Sequence, residues 1–215
     1  MSSLQAAIDE YNAAKKEKMP AEVLDLMART TAELKDTGIE NRALGTGDRM
    51  PEFTLPNQHG EMLRFADFLA DSPVVLNIYR GGWCPYCNFE MKALADLLPE
   101  IKAAGAQLVG MAPEDPDHAL DTANRHEIDI EILSDTGNAV SEQMGLVFSL
   151  AEELRPIYLG AGLDIPAYNG DDSFRLPVPA TYIVGTDGII KADFVNADYT
   201  RRMEPAEIVA VLQEG

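Results

Sequence analysis

The sequence is poor in the side chains that most metal and nucleic-acid sites need. It has two cysteines and three histidines, and no pair of histidines stands at ligand spacing. There are 17 basic residues against 36 acidic ones, and the formal charge of −19 disfavours nucleic acid or an anionic membrane as a partner. We therefore expect no metal, no other cofactor, no nucleic-acid partner and no membrane partner.

Long apolar runs are also missing. No stretch reaches the length of about 20 residues that a membrane-spanning helix needs. The first residues, M-S-S-L-Q, lack the basic segment and apolar run of a secretory signal, so a cytoplasmic location is expected. A chain of 215 residues is long enough for one domain with an appendage.

Both cysteines stand in one motif, W-C-P-Y-C at residues 83–87. The motif follows the β-branched apolar run 74–79, which predicts a buried strand, and precedes a predicted helix over 88–101. Free N–H groups and the helix dipole at such a helix start stabilise a thiolate. Two intervening residues let the sulfurs meet across the first helical turn, so the motif predicts a redox-active dithiol at Cys84 and Cys87.

Two other interpretations of the motif are weaker. A zinc half-site also uses C-x-x-C, but it needs two further ligands that the sequence does not offer at suitable spacing. Buried cysteines that merely pack as small hydrophobes are common, but this does not explain why both cysteines stand at one helix start.

Apolar positions at helical spacing predict two helices within residues 3–36, interrupted at Met19-Pro20. We assign residues 1–43 to an N-terminal helical arm. Packing of its apolar stripes on the rest of the chain is the favoured interpretation, and a homodimer contact is the alternative.

Residues 44–215 are assigned to one α/β domain. Alternating strand and helix patterns predict a central sheet covered on both faces, and Asp-Gly at 187–188 predicts a hairpin over 180–195. Residues 148–176, rich in proline, glycine and tyrosine, predict an ordered insertion that covers the site or builds an interface, or else a loop without a role in function.

Three segments together resemble a known family: residues 47–55, residues 74–87, and residues 179–184 with the Asp-Gly turn. They are similar to the peroxiredoxin-like branch of the alkyl hydroperoxide reductase and thiol-specific antioxidant (AhpC/TSA) family. The resemblance covers about residues 44–212 and implies a thioredoxin-like fold with a central mixed β-sheet flanked by helices. It also implies a thiol-dependent peroxidase, an oxidoreductase with a hydroperoxide substrate and a thioredoxin-type reductant. A protein disulfide reductase and a binding module with a non-catalytic dithiol are the alternatives.

The motif resembles two patterns that assign the cysteines differently. W-C-x-x-C of thioredoxins makes Cys84 the attacking thiol and Cys87 the resolving one. T-P-x-C-T-x-E of peroxiredoxins makes Cys87 the attacking thiol and gives Glu90 a role, although a solvated helical glutamate explains Glu90 equally well. The resemblance slightly favours Cys87 for peroxide, whereas the helix dipole alone favours Cys84.

The chain departs from the peroxiredoxin pattern at two positions. Arg80 stands where a proline is usual, and Pro179 stands where an arginine that polarises the peroxide is usual. Arg80 is a candidate substitute cation, with a surface arginine as the alternative. Pro179 resembles the thioredoxin-fold proline that faces the cysteines after a cis peptide bond. With Trp83 and Glu90, these two residues complete the predicted support of the dithiol.

Two further positions bear on the site. Asn77 occupies the strand where thioredoxins often carry a buried carboxylate, so the proton acceptor is Glu90, another residue or water. The segment D-Y-T-R-R at 198–202 is either a basic patch for a partner or, as we favour, a helix entry paired with acidic neighbours.

Overall fold

The structure is a computed structural model that describes residues 3–214. Met1, Ser2 and Gly215 lie outside the described residues, and so does the start of the segment from which no secretory signal is expected. The helices are α1 (Leu4–Lys18), α2 (Ala21–Asp36), α3 (Ile39–Arg42), α4 (Phe65–Asp71), α5 (Pro85–Ala103), α6 (Pro116–His126), α7 (Ala139–Gln143), α8 (Arg155–Gly160), α9 (Ile165–Asn169) and α10 (Pro205–Glu214). The strands are β1 (Thr54–Pro56), β2 (Met62–Arg64), β3 (Val74–Ile78), β4 (Gln107–Ala112), β5 (Glu131–Ser134), β6 (Val147–Ser149), β7 (Arg175–Pro177), β8 (Ala180–Val184) and β9 (Ile190–Val195).

The two helices predicted at the N-terminus are confirmed. The Ser3 side chain caps α1 by accepting from the Ala6 N–H at 3.1 Å. The helix ends at Lys18 because Pro20 follows, and α2 starts directly after that proline. Leu4 and Ile8 of α1 are buried in a cluster that includes α5, so part of the apolar stripe of the arm packs within the chain.

The central sheet has five strands in the order β5-β4-β3-β8-β9. The β3–β4 and β4–β5 pairs are parallel, and the β3–β8 and β8–β9 pairs are antiparallel. The predicted hairpin is confirmed, since β8 and β9 are joined by the turn that contains Gly188 at φ +75°. The mixed sheet places the carboxyl end of β3 directly before the C-x-x-C motif.

The sheet is covered on both faces, as predicted. Successive residues of β3 point to opposite sides, so Val75 belongs to the apolar cluster under α5 while Val74 and Leu76 belong to the cluster under α4 and α7. All three side chains are fully buried. Burial of each contributes roughly 1.5–3 kcal/mol, which fixes the strand that positions the motif.

The insertion is ordered and packs on the domain. β6 and β7 form a two-stranded antiparallel sheet at its ends, and α8 and α9 lie between them. Leu150, Leu154 and Ile165 are buried in the same cluster as α5. Among residues 3–214, no helix combines the length and apolarity needed to cross a lipid bilayer.

Candidate functional site

The two cysteines lie at the start of α5, as predicted. Cys84 is the N-cap residue, Pro85 is the first helical residue, and Cys87 follows in the first turn. Both are free thiols and neither is exposed to solvent. The helix start therefore supports a dithiol that is shielded from bulk water.

Arg80 is a buried cation beside Cys84. Its guanidinium donates to Cys84 Sγ at 3.0 Å and lies over the ring of Tyr199 at 4.2 Å and of Trp83 at 5.2 Å. Arg80 is 3% exposed, so the surface-arginine alternative is wrong. Within residues 3–214 it forms no ion pair with a carboxylate. A buried charge without a partner is costly, so a thiolate at Cys84 is the natural counter-charge.

A second buried arginine, Arg202, lies beside Cys87. Its Nη2 is 3.6 Å from Cys87 Sγ, and its Nε donates to Glu90 Oε2 at 2.7 Å. Thr181 donates to the other oxygen of Glu90 at 3.4 Å. Unlike Arg80, this guanidinium has a carboxylate that balances its charge.

The buried ion pair between Arg202 and Glu90 corrects two interpretations made from the sequence. Glu90 is 2% exposed, so it is not a solvated helical glutamate. The alternative of a basic surface patch at 198–202 is wrong for Arg202, which turns inward and is 5% exposed. The favoured pairing with an acidic neighbour holds for Arg201, which is exposed and lies 3.9 Å from Asp198. The inward turn is favoured because Glu90 and the backbone carbonyl of Tyr199 satisfy the guanidinium.

These charges separate the acidities of the two thiols. Burial opposes ionisation of Cys84, but the hydrogen bond from Cys87 and the charge of Arg80 outweigh it and hold the pKa of Cys84 well below its usual range. Burial, the hydrogen bond to Cys84 and the negative charge of Cys84 raise the pKa of Cys87 well above its usual range. The arrangement favours one thiolate, at Cys84, with Cys87 as the protonated partner.

The turn before Cys84 is clamped at Gly82. Its N–H donates to Glu114 Oε1 at 2.7 Å, and its carbonyl accepts from Arg125 at 2.7 Å and from Asn88 at 2.9 Å. Burial raises the pKa of Glu114 to about 7, with the Gly82 N–H acting against that rise. Gly81 precedes at φ +141°, and a Cβ there would overlap the Trp83 indole, so the turn requires glycine.

Pro179 is buried directly before β8, at the sheet edge that carries the dithiol. Among the described residues no peptide bond is cis, so the expectation of a cis bond at Pro179 is wrong. The Val178 N–H, one residue before Pro179, donates to the Leu146 carbonyl at 2.8 Å. The trans form is also the intrinsically favoured one.

The arm contacts Tyr86, one of the two residues between the cysteines. The Tyr86 hydroxyl donates to Asn12 Oδ1 at 2.7 Å, and Lys15 Nζ donates to that hydroxyl at 3.3 Å. The ring of Tyr11 packs edge-on against Tyr86 at 5.5 Å. The arm therefore covers the outer side of the C-x-x-C turn.

A cavity of about 290 Å³ reaches Arg80 from the surface. We call it the α2 cavity, because α2 forms one wall and residues 148–158 and 197–199 form the rest. Neither cysteine lines it, whereas Arg80, which donates to Cys84 Sγ, does. Its larger lining side chains are Leu34, Phe148, Leu150, Leu154, Tyr158 and Tyr199.

Sequence reasoning identified the dithiol, Arg80 and Glu90 but missed Arg202 and Glu114. Glu114 follows β4 by two residues, and the carboxyl ends of neighbouring parallel strands meet at one sheet edge, so its position was a usable signal. Arg202 carried no such signal, because its segment is irregular. Within residues 3–214, no three histidine, cysteine, aspartate or glutamate side chains are grouped as metal ligands would be.

The chain is similar in sequence to a known protein family and to individual members with names. A model of the AhpC/TSA family matches residues 46–193. The chain is 31% identical to Peroxiredoxin Bcp of Escherichia coli (strain K12) over 103 residues, which are 48% of this chain and 65% of that protein. It is 29% identical to chloroplastic Peroxiredoxin Q of Triticum aestivum over 129 residues, 60% of this chain and 59% of that protein. The chain thus spans less than two thirds of either relative.

The fold of the chain is also similar to that of a solved structure. The crystal structure of Peroxidoxin BcpB from Mycobacterium tuberculosis superposes with a TM-score of 0.63 at 23% identity, covering 80% of this chain and 97% of that chain. The predicted thioredoxin-like fold, with a mixed sheet flanked by helices, is confirmed. The matched family segment starts after the arm, so the helices that cover Tyr86 lie outside it.

Proposed function

The chain belongs to the AhpC/TSA family, and on that premise we propose that it is a thiol-dependent peroxidase in which Cys84 attacks a hydroperoxide and Cys87 resolves the product. Bcp and Peroxiredoxin Q, both named peroxiredoxins, support the activity. The order of the two cysteines rests on the charges around them and differs from the order that the peroxiredoxin pattern favours.

The observation that carries the assignment is the isolation of Arg80. This cation is buried, touches Cys84 Sγ at 3.0 Å and has no carboxylate partner among the described residues. Ionised Cys84 removes the cost of that buried charge, whereas Arg202 is already balanced by Glu90. The thiolate is the nucleophile in peroxide chemistry, so the ionised cysteine is the one that attacks.

The cycle balances with two thiols and one peroxide. The Cys84 thiolate attacks the terminal oxygen of ROOH, an S–O bond forms, the O–O bond breaks, and the alkoxide leaves and takes up a proton as ROH. Arg80 donates hydrogen bonds toward the oxygen that gains charge. Cys87 then attacks the sulfenic sulfur, which releases water and forms the Cys84–Cys87 disulfide.

Single-cysteine variants test the assignment. Cys87→Ser should consume one equivalent of peroxide and stop as a sulfenic acid at Cys84, because the resolving thiol is gone. Cys84→Ser should react no faster than a thiol of ordinary pKa. Intact mass after trapping with dimedone measures both. A fast sulfenic acid at Cys87 in Cys84→Ser would reverse the assignment, and no fast reaction in the parent or either variant would refute the peroxidase.

The reductant that we propose is of the thioredoxin type, acting in the cytoplasm, where the disulfide is returned to the dithiol. Because both sulfurs are buried and the arm covers Tyr86, a protein reductant must displace part of that cover. Peroxide consumption with a thioredoxin system, run beside reduction of insulin disulfides, separates peroxidase from disulfide reductase.

The domain assignment leads to a further proposal: residues 1–43 form an arm that stabilises the α/β unit 44–215 and is not part of the chemistry. Burial of Leu4 and Ile8 within the chain supports it, and it leaves those side chains unavailable for a homodimer. A chain that lacks residues 1–36 should be less stable, or change its association state, while its thiols still react with peroxide. Sedimentation velocity on both chains tests the homodimer. Loss of thiol reactivity in a folded truncation would contradict this division.

A further inference from the structure

A second cavity lies over Tyr86, between the arm and the C-x-x-C turn. Its volume is about 420 Å³, within the range of small-molecule sites, roughly 300–1,000 Å³. Helices α1 and α2 form most of its wall, and Tyr86 and Thr200 complete it. We call it the Tyr86 cavity. Of the described residues that line it, Tyr86 alone lies within the matched family segment, so this cavity is a feature of the arm.

The Tyr86 cavity contains an ammonium group that lacks a counter-charge. Lys15 lines the cavity and is half-buried, and its Nζ contacts two neutral atoms, the Tyr86 hydroxyl at 3.3 Å and the Met27 sulfur at 3.4 Å. Among residues 3–214, no carboxylate lies within ion-pair distance of it. Lys15 remains without an anion although the chain has a formal net charge of −19. Such a cation gains from an anionic ligand.

The other charged groups of the cavity leave it net positive. Lys16 and Asp9 line it beside Lys15, which makes two cations and one carboxylate among the described lining residues. Asp9 is exposed and accepts from Gln5 at 2.9 Å, so it lies at the solvent side of the cavity. The balance of charge suits a ligand with a single negative charge.

The neutral side chains define the rest of the ligand. Asn12 uses its amide oxygen for the Tyr86 hydroxyl, which leaves its amide N–H groups to donate to a ligand. Ala13, Leu24 and Met27 give the cavity an apolar wall. A carboxylate held by Lys15 and Asn12, with a compact apolar body against Leu24 and Met27, uses both parts of the cavity.

From these contacts we propose that the Tyr86 cavity binds small organic carboxylates with an apolar body, and that the bound anion is coupled through its charge to Cys84. The site is separate from the proposed peroxide chemistry, because neither cysteine and neither buried arginine lines it.

The coupling follows from charges that already interact. Burial lowers the pKa of Lys15, the charge of Arg80 lowers it further, and Cys84 acts in the opposite sense. Lys15 is therefore within electrostatic reach of both groups. An anion bound at Lys15 opposes ionisation of Cys84, so a bound organic acid restrains the thiolate.

Binding and its location are measured first, with phenylacetate as the probe. Met27 lines the cavity, so its ¹³C-methyl NMR signal in methionine-labelled protein should shift to saturation, whereas that of the exposed Met62 on β2 should not. Phenylacetamide has nearly the same shape but no charge and should bind at least tenfold more weakly. No saturable shift at Met27, or equal affinity for the two compounds, would overturn the proposal.

A variant of Lys15 is the second step. Lys15→Met retains an unbranched apolar stem but removes the ammonium, and it should lower the affinity for phenylacetate at least tenfold, whereas Lys15→Arg should retain most of it. Lys18→Met removes the same charge from an exposed position of α1 outside the cavity and should change the affinity less than twofold. Equal losses in Lys15→Met and Lys18→Met would show unspecific attraction and overturn the site. The comparison of the two ligands on the parent chain does not depend on the folding of Lys15→Met.

The coupling is tested on the thiol itself. Saturating phenylacetate should raise the pKa of Cys84 by about half a unit, roughly a threefold change in the ratio of thiol to thiolate, and phenylacetamide should not. NMR of ¹³Cβ-labelled cysteine across pH measures this shift. An unchanged pKa with phenylacetate bound would overturn the coupling. None of these measurements uses peroxide, so failure of the proposed peroxidase would leave their outcomes unaffected.

Discussion

The two cysteines of the motif lie beside two buried arginines whose surroundings differ. Next to Cys84, Arg80 lies between aromatic rings and pairs with no carboxylate of residues 3–214. Next to Cys87, Arg202 is held by Glu90 at 2.7 Å. Each thiol thus has a guanidinium within reach, but only one guanidinium lacks a counter-charge. Charge balance, more than proximity, decides which sulfur is ionised.

Glu90→Gln removes the carboxylate that balances the charge of Arg202 beside Cys87. Arg202 would then be a buried cation without a partner, and loss of one member of a buried ion pair costs about 3–5 kcal/mol of stability. Cys87 would become the remaining counter-charge, so its pKa should fall. Urea unfolding measures the loss of stability. The matched control, Glu142→Gln, breaks a more exposed pair with Arg175 and should change stability by less than about 1 kcal/mol. Equal effects would contradict the ion-pair account.

Arg80→Met removes the cation on the Cys84 side. With an ordinary pKa near 8.5, Cys84 would be only a few per cent thiolate at pH 7, so its oxidation by peroxide should slow by about thirtyfold or more, roughly 2 kcal/mol. Arg80→Lys retains a charge and should lose less. Stopped-flow oxidation followed by Trp83 emission gives the rates. An unchanged rate in Arg80→Met would show that Arg80 does not create the thiolate.

Glu114 accepts from the N–H of Gly82, in the turn that precedes both cysteines. Its titration should therefore change the stability of the fold more than the pKa of either cysteine. Its pKa is raised to about 7 from the ordinary value near 4.3, so the folded chain holds the proton more tightly than the unfolded chain. The associated stability is complete below about pH 4 and is lost as the pH rises through about 7, a fall of roughly 3–4 kcal/mol. Glu114→Gln should flatten stability over this window in thermal unfolding. An unchanged slope would contradict a raised pKa.

The smallest effect is expected where the arm touches the motif. Asn12→Ala removes the acceptor of the Tyr86 hydroxyl and should cost about 1 kcal/mol of stability while leaving the thiol pKa values unchanged. Gln5→Ala on the same helix removes only an exposed bond to Asp9 and is the control. A large shift in the pKa of Cys84 in Asn12→Ala would show that the arm takes part in the chemistry.

The elements with strong local patterns were predictable from the sequence. β3, the helix start at the motif and the Asp-Gly hairpin follow from short-range chemistry and are confirmed. The contact between Arg202 and Glu90 was not predictable, because 112 residues separate them and the segment that brings Arg202 inward has no periodic pattern. The resemblance also suggested a cis bond before Pro179, but the bond is trans, which is the intrinsically favoured form.

The most direct test of the charge-balance account is the ionisation state of each sulfur. Selective ¹³Cβ labelling of cysteine lets NMR follow both thiols of the reduced protein across pH. The account predicts that Cys84 is a thiolate at pH 7, with its pKa well below the ordinary value near 8.5, and that Cys87 remains a thiol above that value. A thiolate at Cys87 with Cys84 protonated, or two thiols at pH 7, would contradict it.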